Sequence, residues 1–138
     1  MGVRLRKAIA KLLTRERVCR VATIGGDGTP HVVPVCHVLT DGKVYFGTGN
    51  ASQKARNLKA NPRMAVLVDL YSEDWDLLRG VMVQGTAKLI REGPEFRKIR
   101  TLLYQKYPQY PDDAALEESD DVIVEMTPAR VAAWEIEG

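Results

Sequence analysis

The chain has 138 residues and a formal net charge of +2, so it is long enough to bury a core and carries no global field that would gather nucleic acid. Cys19 and Cys36 both lie in apolar, strand-like runs without metal spacing, which predicts buried free thiols in a reducing compartment. No apolar run reaches spanning length, and MGVRLRKAIAKLL is too broken by charge for a secretory leader; the expectation is one cytoplasmic domain over residues 1–138 with no membrane or nucleic-acid partner.

Leu5, Ile9, Leu12 and Leu13 recur at helical spacing opposite Arg4, Arg6, Lys7 and Lys11, predicting an amphipathic helix laid on the rest of the fold. Such a helix also suits an anionic membrane, but this one is short and lacks aromatic anchors. Val18–Ile24 and His31–Leu39 flank Gly25-Gly26-Asp27-Gly28, a hairpin signal, and Asp41-Gly42 makes a second hairpin into Val44–Phe46. A helix over Ser52–Ala60 is stopped by Asn61-Pro62, and Met64–Leu70 resumes strand character. Gly80–Ile90 is a further strand, in which Gly85 marks a bulge or a close backbone approach. Pro94 opens a third helix, with Phe96, Ile99, Leu103 and Tyr107 on one face and Arg97, Lys98 and Arg100 on a solvated one; Pro108 and Pro111 end it. An exposed acidic connector, Asp112 to Asp121, leads into short closing strands at Val122–Met126 and Val131–Ile136. Many short hairpin-linked strands with three outer helices predict a mainly β protein, a small closed barrel with flanking helices.

The stretch Val44 to Arg63, VYFGTGNASQKARNLKANPR, carries the chemistry. A β-rich run breaks at Gly47, Gly49 and Asn50, and Ser52 stands where a helix N-cap belongs. A helix starting there aims free N–H groups, the Ser52 hydroxyl and the Lys54 ammonium at one spot, which suits a phosphate. The same residues also make an ordinary capped helix whose basic face meets water.

In order along the chain, VATIGGDGTPHVVPV, VYFGTGNASQKARNLKANPRMAVLV, GVMVQGTAKLI and RVAAWEIE resemble the pyridoxamine 5′-phosphate oxidase-like FMN-binding split barrels, well over about residues 16–92 and loosely in the tail. The resemblance implies a split β-barrel that pairs as a homodimer, with FMN in a groove between the subunits. Gly47, Thr48, Ser52, Gln53 and Lys54 then hold the flavin phosphate, with Gln53 in place of a second cation and Arg56 available to replace that charge. Pro34, Val35, Cys36 and His37, in the extended VVPVCH, come nearest the isoalloxazine ring, and Pro34 argues for an edge or bulged position. His37 stands where a pyridoxamine 5′-phosphate oxidase carries a substrate-phosphate lysine. It is the candidate catalytic residue, a proton donor or anchor, although a hydrogen-bonded structural histidine would read the same way. His31, beside Pro30, is expected to be exposed, and neither histidine has a partner spaced for a metal.

Val68 to Gly80, VDLYSEDWDLLRG, resembles the matching segment of a subfamily of probable deazaflavin-dependent enzymes. In a functional reading Trp75 stacks on a cofactor ring and Arg79 reaches an acidic tail; in a structural one Trp75 packs at the dimer interface among solvated acids. Trp134 falls where the family places an aromatic near the partner's flavin, and a buried anchor of the last strand would look the same. The R-x-x-R-x-E-F-W-type tail of the vitamin B6 enzymes is absent. The expectation is an FMN-dependent oxidoreductase acting on an unidentified small molecule outside vitamin B6 synthesis. Alternatives are the 8-hydroxy-5-deazaflavin coenzyme in place of FMN, a non-catalytic flavin-binding protein, and a heme protein with His37 as axial ligand.

Overall fold

The computed structural model describes residues 3–136. Helix α1 (Lys7–Arg15) buries Ile9, Leu12 and Leu13, the face its spacing predicts. Strands β1 (Cys19–Ile24), β2 (Pro30–Val35), β3 (Val38–Thr40) and β4 (Lys43–Gly49) precede helix α2 (Gln53–Ala60) and strand β5 (Arg63–Leu70). A short 3-10 turn (Trp75–Leu77) leads into β6 (Arg79–Ile90), helix α3 (Pro94–Lys106), a brief helix α4 (Tyr110–Asp113) and β7 (Asp121–Trp134). Asp41 (φ 53°) and Gly42 (φ 73°) are both left-handed, the requirement of the two-residue hairpin turn between β3 and β4.

The strands lie in the order β2-β1-β5-β6-β7-β4-β3, with every pair antiparallel. Its two outermost strands are consecutive in the chain. The segment from Pro30 to Thr40, expected as one strand over His31–Leu39, pairs its first half with β1 and its second half with β4, and breaks at Cys36 and His37. One kinked segment therefore closes the sheet on itself, which makes the molecule a split β-barrel. Its interior holds Val21, Val44, Phe46, Val66, Val83, Val124 and Met126, with Leu13 of α1 and Leu58 of α2 packed into the same core. A second cluster lies outside the barrel, where Phe96, Ile99 and Leu103 of α3 cover Tyr45 and Ile123.

β6 and β7 pair along most of their length, with a register shift between Gln84 and Gly85. A Cβ on Gly85 would lie 2.0 Å from the Thr127 carbonyl oxygen, so the bulge needs glycine there. The closing strands, expected as two, are one, because β6 holds the intervening residues in its ladder. The acidic connector is also more ordered than its composition suggests. Pro111 lies within the first turn of α4 rather than ending α3, Leu116 is buried, and Glu118 accepts from the Gly93 N–H at 3.0 Å. The basic face of α3 is tied down rather than free: Arg97 pairs with Glu118 at 3.2 Å, Lys98 with Asp41 at 3.4 Å, and Arg100 donates to the Leu116 carbonyl at 3.1 Å. Among the described residues no helix is long and apolar enough to cross a membrane.

Candidate cofactor site

β4 delivers Gly47 and Thr48 to the turn that starts α2. Ser52 caps that helix, its Oγ accepting from the Ala55 N–H at 3.2 Å and from the Thr48 hydroxyl at 2.9 Å. Gln53 donates to Asn57 Oδ1 at 2.8 Å and accepts from Arg56 at 2.6 Å, while Arg56 also donates to the Ala51 carbonyl at 3.1 Å. Arg56 is thus folded back toward the helix start. Buried Asn57 donates to the Thr23 hydroxyl at 3.0 Å and so ties α2 to β1. Lys54 is half-buried, burial lowers its pKa, and its ammonium has no acceptor among the described residues. A partly desolvated cation in the first turn of a capped helix is of the chemistry that suits an anion.

β2 is an outermost strand, and Pro34, opposite Arg20, occupies the edge position its missing N–H predicts. Pro34 is exposed and Val35 half-buried, and the strand break follows them. Cys36 is a free, exposed thiol, which corrects the expectation that both cysteines are buried; Cys19 is the buried one, its pKa pushed up to about 12 by desolvation.

His37 has no exposed surface. Its Nε2 is 2.7 Å from the Leu13 carbonyl and its backbone N–H donates to the Tyr107 hydroxyl at 3.0 Å. Burial, reinforced by the nearby Lys106 charge, lowers its pKa to about 4. A side chain with no accessible surface touches neither cofactor nor substrate. His37 pins α1 and α3 to the break in the barrel wall, which corrects its candidate roles as proton donor and as heme ligand. His31 is half-buried rather than exposed, and its Nδ1 lacks a partner.

The third group of expected residues sits elsewhere on the barrel. Trp134 is 42% exposed, and its ring lies on Gly80, where a Cβ would meet it at 2.2 Å. Half-buried Arg79 is next to that contact, and Trp75, 71% exposed, stands on the turn before β6. β2 and β7 are separated in the sheet by β1, β5 and β6. Between them Val32, Ala22, Ala65, Leu67, Met82 and Ala132 occupy paired, outward-alternating positions, an apolar sheet face.

Two features escaped the sequence reading. Asn57 looked like one more polar helix residue, and only its contact with Thr23 reveals it as a brace. Arg63 and Arg130 are far apart in sequence, yet both line a groove on the outer sheet face. The available signal was Gln84, a polar residue inside the apolar run VMVQG just before the bulge.

The family model described as pyridoxamine 5′-phosphate oxidase matches residues 5–135. A reductase of 5a,11a-dehydrotetracycline and 5a,11a-dehydrooxytetracycline from Streptomyces rimosus subsp. rimosus is 30% identical over 125 residues, covering 86% of this chain and 75% of that protein. Among solved structures, a conserved hypothetical protein of Mycobacterium tuberculosis is 27% identical with a TM-score of 0.82, covering 96% of this chain and 86% of its own. A protein described as an F420 reductase is 25% identical with a TM-score of 0.71, covering 93% of this chain and 98% of its own.

Proposed function

The chain belongs to the pyridoxamine 5′-phosphate oxidase-like split-barrel family, and from that premise we propose that it is an oxidoreductase that binds FMN by its phosphate at the start of α2. The observation that carries this reading is Lys54, a half-buried lysine without an acceptor among the described residues, in the first turn of the helix that Ser52 caps. Bound flavin supplies the hydride or electron transfer. Thr48, Ser52, Lys54 and Arg56 anchor its phosphate, and the edge backbone of Pro34 to Cys36 orients its ring. The reductase from Streptomyces rimosus supports a reaction that reduces a small organic molecule.

The same anion site serves a second reading, in which the cofactor is the 8-hydroxy-5-deazaflavin coenzyme. The F420 reductase neighbour and the acidic, aromatic Val68–Gly80 segment favour it. In either case two copies pair through the apolar sheet face, and Trp134 of the second copy completes the ring site that one copy leaves open.

Titrating the purified protein with FMN and with the deazaflavin coenzyme, following fluorescence, separates the two. Lys54→Glu is expected to weaken whichever binds by at least about tenfold, since charge reversal at a partly desolvated site removes a charge-assisted contact worth roughly 1.5–3 kcal/mol. Full affinity in a folded Lys54→Glu variant would remove the phosphate assignment.

A further inference from the structure

The side chains of α2 and β1 form one directed hydrogen-bond chain. Arg56 Nη2 donates to Gln53 Oε1 at 2.6 Å, Gln53 Nε2 donates to Asn57 Oδ1 at 2.8 Å, and Asn57 Nδ2 donates to Thr23 Oγ1 at 3.0 Å. Its sense is fixed from the arginine end. A guanidinium only donates, so Gln53 presents its oxygen to Arg56 and its amide nitrogen to Asn57, and Asn57 in turn presents its nitrogen to Thr23. The far end lies inside the protein. Asn57 is 3% exposed and Thr23 2%, whereas Gln53 and Arg56 are on the surface. Breaking the inner bond strands a buried amide, so the inner pair is held more firmly than a surface contact would be.

Two exposed side chains of the helix are therefore fastened to a buried anchor in the barrel wall. Arg56 also donates to the carbonyl of Ala51, the residue before the Ser52 cap, so its guanidinium is held back over the helix start, with more N–H groups than these bonds use. Gln53 differs, because both ends of its amide are already engaged. We propose that Gln53 is a positioning residue rather than a phosphate ligand: held by buried Asn57 and Thr23, it presets the Arg56 guanidinium at the start of α2 for the cofactor's phosphate. A planar cation fixed before binding loses less rotamer freedom when the anion arrives. The inference rests on the phosphate reading of this corner and adds how its second cation is aimed.

The test titrates the full chain with FMN and with riboflavin, which differ by the phosphate alone, and follows flavin fluorescence. Gln53→Met keeps the length of an exposed side chain without either bond; it should lower FMN affinity about threefold or more and leave riboflavin affinity unchanged. Thr23→Val, which removes the buried end of the chain, should act in the same phosphate-specific way. In an Arg56→Ala background neither substitution should lower FMN affinity further, because the group they act through is gone. A Gln53→Met loss that persists without Arg56 overturns the proposal by making Gln53 a direct ligand. A loss shared by riboflavin overturns it by making the chain a structural brace alone, and so does unchanged FMN affinity in Gln53→Met. An Arg56→Ala variant with the parent's FMN affinity overturns it too, while leaving the Lys54 reading standing. A parent that binds FMN no more tightly than riboflavin removes the phosphate assignment itself and this proposal with it.

Discussion

His37 has a pKa lowered to about 4, so the folded protein keeps it neutral at a pH where the unfolded chain has begun to protonate it near 6.5. Its stabilising effect is therefore present in full above pH 6.5 and is lost as pH falls toward 4. The protonated ring would bring a second charge near Lys106, with an Nδ1 that has no acceptor. Over that window the loss should reach about 3 kcal/mol, read as a falling urea midpoint, and His37→Gln should flatten the slope. Cys36 gives a simpler measurement. The native protein should titrate one fast thiol with a disulfide reagent and two once denatured, and bound FMN should slow the fast one because Cys36 ends the Pro34–Cys36 edge assigned to the ring. At this scale the sequence was informative where structure follows from local spacing, as at the Ser52 cap. It was misleading at His37 and Cys36, which are neighbours in a strand-like run. Which of them faces inward depends on a break that neither residue type announces.

The elements themselves were mostly legible, since amphipathic spacing, the Asp41-Gly42 turn, the Ser52 cap and the Pro94 start all act within a few residues. The errors came where a strand changes partners or is held by one. Pro30 to Thr40 has unbroken strand character, yet β1 and β4 each claim half of it; the residues around Pro128 have little, yet β6 keeps them in the ladder. Gly85 and Gly80 permit a comparison at this level. Gly85→Ala drives a Cβ into the backbone carbonyl of Thr127 and should cost about 3 kcal/mol. Gly80→Ala meets only the Trp134 ring, which can swing away, so it should cost nearer 1 kcal/mol and shift tryptophan emission instead. Urea denaturation of the two variants checks the order, and equal losses would show that the bulge is soft.

For the whole molecule, a ring site completed by Trp134 of a second copy makes cofactor binding and pairing of copies a single equilibrium. FMN should raise the melting temperature and tighten dimerisation together, and sedimentation of apo and FMN-loaded protein across concentration measures both. A monomer with full FMN affinity would show that one copy suffices. The arginine groove was not visible in the sequence, because it joins residues brought together only by the order of strands in the sheet. The kinked segment from Pro30 to Thr40 has a kinetic consequence as well. Since it alone joins the two ends of the sheet, the barrel is completed only when β4, held to β3 by a two-residue turn, finds β7 some eighty residues later. Closure is therefore a late, non-local event with a large loop entropy, which places folding in the slow, millisecond-to-second range of β topologies. β2 stays an outermost strand in the finished sheet as well, and Pro34, near its end, limits how well another nascent copy can add to it.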